Sequence, residues 1–127
     1  MGETVTDVRV QVPAGGQFLQ VIRNVVAAVG ARAGCSVDVL ADLRLAVDEA
    51  ATRLLRDVPG AQVLVVEATR ADGGLAVSVA VQAEAAWPSP ELAGSMGWQI
   101  LTALVHEAEA TRTVDGPAIT FRVSADG

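Results

Sequence analysis

The sequence of 127 residues contains no lysine, one cysteine and one histidine. Without lysine, the chain can form no lysine Schiff base and lacks the lysine that holds phosphates in a P-loop. A single cysteine, Cys35, excludes an internal disulfide and a cysteine-based zinc cluster. With two phenylalanines, two tryptophans and no tyrosine, the core that we expect is largely aliphatic.

Long apolar runs and basic clusters are missing as well. No apolar run approaches the roughly 20 residues that cross a membrane as a helix. The acidic start of the chain also lacks the apolar region of a signal peptide. The net charge of −6 opposes binding to nucleic acid and better suits a basic protein partner. We therefore expect a cytoplasmic protein that binds neither nucleic acid nor a membrane.

Hydrophobic periodicity predicts strands and helices within a single domain that covers residues 1–127. Strand patterns occupy residues 5–12, 62–69, 75–82, 108–114 and 118–124. Helical spacing of apolar residues occupies residues 17–33, 36–57 and 98–107. The order β-α-α-β-β-α-β-β predicts a two-layer α+β sandwich, in which three helices cover one face of a mostly antiparallel, mixed sheet.

The second predicted helix has an acidic step, Asp48-Glu49, in its middle, and Arg53 follows Glu49 by one turn. On its own, this spacing fits an ordinary Glu–Arg pair on a solvated helix face. It also fits a site at which Glu49 positions a water or a metal beside a nucleotide. Arginine has no acceptor atom, so Arg53 cannot ligate a metal, and we predict no metal site from this pair.

A second candidate site is the segment Gly94-Ser95-Met96-Gly97 before the third predicted helix. Glycines at a helix N-terminus let backbone N–H groups approach a phosphate, but the same residues also suit a flexible loop and a helix cap. The segment is not a nucleophile elbow, because Ala93 stands where that motif needs glycine. His106 is the only histidine and is expected late in the third helix, so a Ser-His triad is not expected.

The order of these segments resembles the anti-sigma factor and serine-protein kinase family of the GHKL (Bergerat) ATPase superfamily. The likeness is carried by residues 41–54 (ADLRLAVDEAATRL) and 98–104 (WQILTAL), and it extends over essentially the whole chain. It implies the histidine-kinase-like ATPase fold. It further implies a homodimer, for which residues 5–29 are a plausible interface.

The family's second-helix motif, Glu-x-x-x-Asn, is half kept. Glu49 matches the glutamate, which the family uses as general base or to position a water. Arg53 replaces the asparagine that holds magnesium on the ATP phosphates. At the last family motif, Gly-x-Gly before the third helix, Gly97 matches one glycine and Gly94 lies near the other.

The adenine-binding motif, Asp-x-Gly-x-Gly, has no match at residues 81–87 (VQAEAAW). Glu84 is the one acid that could substitute for the aspartate, and Trp87 is expected to fill the room that the glycines leave for the base. Two of three nucleotide motifs therefore depart from the pattern at chemically necessary positions. We expect no firmly bound cofactor, and weak or absent binding of ATP with magnesium.

The resemblance gives Arg23 a role in binding a partner. The family's partner-contact arginine precedes the motif glutamate by 26 residues, as Arg23 precedes Glu49. The function that we expect is to sequester an alternative sigma factor until an anti-anti-sigma factor releases it. One alternative is an active serine/threonine-protein kinase with Glu49 as its base. Another is a GHKL-like module that holds a different ligand in the emptied pocket.

Overall fold

The structure is a computed structural model that describes residues 7–127. Residues 5 and 6 of the first predicted strand lie outside the described residues. Five strands follow the predicted order: β1 (Val8–Pro13), β2 (Val63–Ala71), β3 (Gly74–Val81), β4 (His106–Thr113) and β5 (Gly116–Ser124). The helices are α1 (Leu19–Arg32), after a 3-10 turn at Gly16–Phe18, then α2 (Val37–Asp57) and α3 (Met96–Leu104).

The strands form one sheet in the order β1-β2-β3-β5-β4, with helices against one of its faces. This confirms the predicted two-layer α+β sandwich, and each pair of neighbouring strands is antiparallel. The expected mixture of strand directions is thus absent from residues 7–127. Helices α1 and α2 connect β1 to β2. The start of β2 pairs with the end of β1, at Pro13↔Val63.

Helix α2 has the bounds that its sequence signals predict. The Ser36 hydroxyl accepts a hydrogen bond from the backbone N–H of Val39 (3.2 Å) and caps the first turn. The helix ends at Asp57, before Pro59-Gly60. Helix α1 packs closely on it through Gly30, where an added Cβ would lie 2.9 Å from the Leu43 side chain.

The main core lies between the helices and the inner face of the sheet. It is aliphatic apart from a few aromatic rings, of which Phe121 is fully buried, as the composition predicts. On the outer face, Arg9 binds both Glu67 (2.7 Å) and Asp115 (2.7 Å) and so links β1 to the β4–β5 turn. None of the helices in the described part of the chain is long and apolar enough to cross a membrane.

The third helix differs from the prediction at both ends. It starts at Met96, two residues early, and ends at Leu104, because Val105 is extended with φ −135° and ψ 176°. His106 therefore begins β4 and does not belong to a helix. The periodicity continued to residue 107 because neither glycine nor proline marks the end of the helix.

Candidate functional site

The two adjacent acids in the middle of α2, Asp48 and Glu49, face different helices. Successive residues of a helix point about 100° apart, so Asp48 and Glu49 face different flanks. Asp48 Oδ1 lies 3.2 Å from Nε of Arg23 on α1. Glu49 faces α3, where its Oε1 lies 3.0 Å from the place that a Cβ on Gly97 would take. We call these sides the α1 flank and the α3 flank of α2.

On the α3 flank, Glu49 lies against the first turn of α3. Ser95 caps that helix: its hydroxyl accepts from the Trp98 N–H (3.2 Å) and donates to the Leu92 carbonyl (2.7 Å). The Glu49 carboxylate is thus beside a helix N-terminus, where unpaired N–H groups favour a negative charge. The structure brings together the sequence-predicted Glu49 and Gly97, while Gly94 is exposed in the preceding loop.

Arg53 does not pair with Glu49, contrary to one reading of the sequence. Its Nε donates instead to Asp57 Oδ2 at 2.7 Å, one turn further along α2, and both side chains are at most 15% exposed. The Ser89 hydroxyl donates to the same Asp57 oxygen (3.2 Å). The Arg53–Asp57–Ser89 cluster therefore ties the segment after β3 to the last turn of α2.

The segment that follows β3 also enters the core. Trp87 is 8% exposed, and its indole N–H donates to the Ala118 carbonyl on β5 at 3.1 Å. Leu92 is buried nearby in sequence, and the Arg112 guanidinium on β4 donates to the Ala85 carbonyl. Glu84, the candidate substitute for the adenine-binding aspartate, is exposed. Side chains of the chain itself thus anchor this segment.

Arg53 does not fit the role of a magnesium ligand. Arg53 offers no acceptor atom and is engaged by Asp57. Within residues 7–127, no group of three or more His, Cys, Asp or Glu side chains is placed to hold a metal ion.

On the α1 flank, Arg23 makes several long contacts within the chain. Its Nε donates to the Leu19 carbonyl and its Nη2 to Gln20 Oε1, both at 3.4 Å. About a third of each side chain in the Arg23–Asp48 pair is exposed (31% and 28%). Burial raises the pKa of the Asp48 carboxyl, and the positive charge of Arg23 opposes that shift.

Sequence reasoning missed three residues at this site: Asp48 as the partner of Arg23, and Asp57 and Ser89 as the partners of Arg53. The Asp57 pairing had a signal, since Arg53 stands four residues from Asp57 as well as from Glu49. The other two contacts join residues that are far apart in the chain. Only the packing of α1 and of the loop against α2 brings them together.

Comparison with known proteins places this fold. The family model for the histidine kinase-like ATPase domain matches residues 12–123. Anti-sigma-F factor RsbW from two strains of Mycobacterium tuberculosis is 37% identical over 108 residues, which are 83% of this chain and 61% of the relative. The chain thus spans about three fifths of the length of these curated relatives.

Two solved structures share the fold at low sequence identity. The RsbU and RsbW domains of a Mycobacterium tuberculosis protein match with a TM-score of 0.66 at 20% identity, covering 92% of this chain and 32% of that one. The histidine kinase domain of a blue-light activated kinase from Erythrobacter litoralis matches with a TM-score of 0.55 at 17% identity, covering 98% and 65%. At these identities the likeness shows the fold alone.

Proposed function

Because the chain belongs to the histidine kinase-like ATPase domain family, we propose that it is an anti-sigma factor. It binds an alternative sigma factor and keeps that factor from RNA polymerase. The observation that carries the proposal is the 37% identity to an anti-sigma-F factor over most of this chain. Since that relative is longer, the partners named here are part of the proposal.

The contrast between the two flanks of α2 supports binding as the activity. On the α1 flank, Arg23 is partly exposed and makes only long hydrogen bonds, so a partner can engage it at little cost. On the α3 flank, Arg53 is committed to Asp57, and Trp87 is anchored in the core. We infer that the chain binds magnesium-ATP weakly or not at all.

We propose further features at the level of the whole regulatory system. The sigma factor is of the stress-type, sigma-F-like class. An anti-anti-sigma factor releases it by competing for an overlapping surface that includes Arg23. The chain acts in the cytoplasm as a homodimer, and each copy is one domain over residues 1–127. The expected dimer interface is at residues 5–29, of which residues 5 and 6 lie outside the described residues.

A binding assay with purified sigma factors tests the central proposal. Each alternative sigma factor of the source organism is titrated against the wild-type chain, and transcription from a cognate promoter is measured with and without it. We expect one sigma factor to bind and its transcription to fall. If none binds, or if binding leaves transcription unchanged, the chain is not an anti-sigma factor.

Arg23→Ala tests the surface, with Arg32→Ala as the matched control. Arg32 is an exposed arginine in the last turn of the same helix, so its loss removes the same charge. We expect Arg23→Ala to weaken sigma binding by at least tenfold and Arg32→Ala by less than threefold, in the range of one contact at a binding centre. Equal effects would place the surface elsewhere.

A serine/threonine-protein kinase is the second candidate, because Glu49 keeps its place against Gly97 at the start of α3. In that reading Glu49 is the base, and the anti-anti-sigma factor is the substrate. Incubation of the chain with radiolabelled ATP and candidate antagonists distinguishes the two functions. Transfer of label that is lost in Glu49→Gln would favour the kinase.

A further inference from the structure

The ion pair between Arg23 and Asp48 has an unusual geometry. Asp48 Oδ1 is 3.2 Å from Arg23 Nε, but the Nε–H donates to the Leu19 carbonyl (3.4 Å). Asp48 Oδ1 is closed off from solvent and has no hydrogen-bond partner among the described residues. The two side chains are therefore held together by charge across the α1–α2 contact, without an aligned hydrogen bond.

This arrangement engages the Nε side of the guanidinium and leaves its Nη1 group without a bond to the described residues. Leu19 and Asp48 occupy the Nε side, and Gln20 contacts Nη2 at 3.4 Å. Nη1 forms no hydrogen bond with residues 7–127. An arginine can engage an acceptor through its two Nη groups, so a partner would bond to Nη1 and replace the long Gln20 contact at Nη2.

Orientation of this side chain has energetic consequences for binding. A free arginine side chain loses rotamer entropy when it is fixed in one geometry. A nearby carboxylate that restricts the guanidinium beforehand lowers the entropy lost at binding. Asp48 is on α2, whose buried stripe packs in the core, so its carboxylate is presented to α1 from a helix that the core holds in place.

We propose that Asp48 is a positioning residue for partner binding: it orients Arg23 at the contact between α1 and α2 by holding the Nε side of the guanidinium, which leaves Nη1 for the partner. Asp48 acts through Arg23 and does not itself contact the partner. This inference rests on the proposed function, since it needs a partner that binds at Arg23. It adds a residue of α2 that neighbours Glu49 in sequence but serves the opposite flank.

The competing explanation is that the pair only joins two helices. In that case the effect of losing Asp48 would follow the stability of the protein. It would also persist when Arg23 is absent from the binding surface. A double-mutant cycle separates the two explanations, because a positioning role disappears once Arg23 is removed.

The experiment titrates wild type, Asp48→Asn, Arg23→Gln and the double variant against the sigma factor that binds the wild type. Asp48→Asn keeps the shape of the side chain and removes its charge. Asp72→Asn is the control: it makes the same charge change in the exposed β2–β3 turn, where asparagine before glycine is equally suitable. Urea denaturation of every variant gives the stability for comparison.

We expect Asp48→Asn to weaken binding about fivefold in the wild-type background and by less than twofold in the Arg23→Gln background, in the usual range of coupling between contacting residues. Asp48→Glu, which restores the charge, should recover part of the loss. Asp72→Asn should leave the affinity unchanged.

Unchanged or tighter binding by Asp48→Asn would overturn the positioning role alone. The same holds for a fivefold loss that persists in Arg23→Gln. If the wild type binds no sigma factor, the proposed function fails and this inference fails with it. The two failures are distinguishable, because only the second is visible without any substitution.

Discussion

The two flanks of α2 carry adjacent carboxylates but differ in how their polar groups are bonded. On the α3 flank, the Arg53–Asp57 contact is short and at most 15% exposed, and Ser89 adds a second hydrogen bond. On the α1 flank, the Arg23–Asp48 contact is longer, unaligned and about one third exposed. Polar side chains thus bond to one another on the α3 flank, whereas on the α1 flank they leave room for the partner that we propose.

Trp87→Ala should have the largest effect on the free energy of unfolding. Trp87 lies on the side of the molecule that the sequence resemblance assigns to adenine. Loss of the buried ring leaves a cavity and removes the donor to Ala118, which should cost about 3–5 kcal/mol of unfolding free energy. Urea denaturation followed by circular dichroism measures this. Trp87→Phe, which keeps a ring but lacks the donor, is the control and should lose less.

Trp87→Ala also tests whether the ring alone blocks a nucleotide. We expect the variant, like the wild type, to bind ATP with magnesium weakly or not at all, since Arg53 still supplies no metal ligand. Magnesium-dependent ATP binding by folded Trp87→Ala would mean that only the Trp87 ring keeps a nucleotide from the α3 flank of the wild type.

Arg53→Asn introduces the residue type that the family has at this position. It also leaves Asp57, which is 10% exposed, without its cation, so we expect a loss of roughly 1–3 kcal/mol in unfolding free energy. Arg53→Asn together with Asp57→Asn should recover part of that loss, because no charge is then left unpaired. An Arg53→Asn variant as stable as wild type would show that the pair contributes nothing.

Gly97→Ala should change the position of Glu49 more than it changes stability. An added Cβ would lie 3.0 Å from Glu49 Oε1, so the carboxylate must move, while alanine favours the helix by about 0.5–1 kcal/mol. We expect a net change within about 1 kcal/mol, with shifted amide signals around Glu49 in NMR spectra. Gly94→Ala, which has nothing within 4 Å, should shift none of these signals.

Asp48→Asn should have the smallest effect on stability, with a characteristic dependence on pH. Burial raises the pKa of Asp48 in the folded protein, so its ionisation costs stability as the pH rises through that pKa. The variant should therefore be slightly more stable than wild type at neutral pH. That advantage should vanish in acid, where Asp48 is protonated in both the folded and the unfolded chain.

Asp115→Asn is the opposite control for this titration. Hydrogen bonds from Arg9 lower the pKa of Asp115, so its contribution to stability is present above the unfolded pKa and is lost as the pH falls through the folded one. The variant should be less stable than wild type at neutral pH, and the deficit should shrink in acid. Urea denaturation of both variants from acid to neutral pH measures their stability relative to wild type. If the two variants differ from wild type in the same direction at neutral pH, the opposite pKa shifts of Asp48 and Asp115 are contradicted.

The elements were largely predictable because their signals are local. The Ser36 cap and the Pro59-Gly60 stop define α2 within a residue, and Asp72-Gly73 marks the β2–β3 turn. The end of α3 was not predictable, because Val105 leaves the helix without a glycine or proline nearby. His106 was misplaced in the helix for that reason.

The site residues could be located from sequence, but their pairings could not. Arg53 stands four residues from two acids, and sequence spacing favours neither. The structure resolves this through contacts from other segments: Gly97 adjoins Glu49, and Ser89 bonds to Asp57. The Arg23–Asp48 contact likewise depends on the packing of α1 against α2, which no local pattern encodes.

Calorimetric titration of the wild-type chain with ATP and magnesium tests most directly whether the α3 flank has lost its nucleotide chemistry. The engagement of Arg53 by Asp57 and the burial of Trp87 predict no saturable heat at micromolar ATP, with or without magnesium. Saturable, magnesium-dependent binding at micromolar ATP would contradict the loss of nucleotide binding. It would favour the kinase alternative, in which Glu49 is the base.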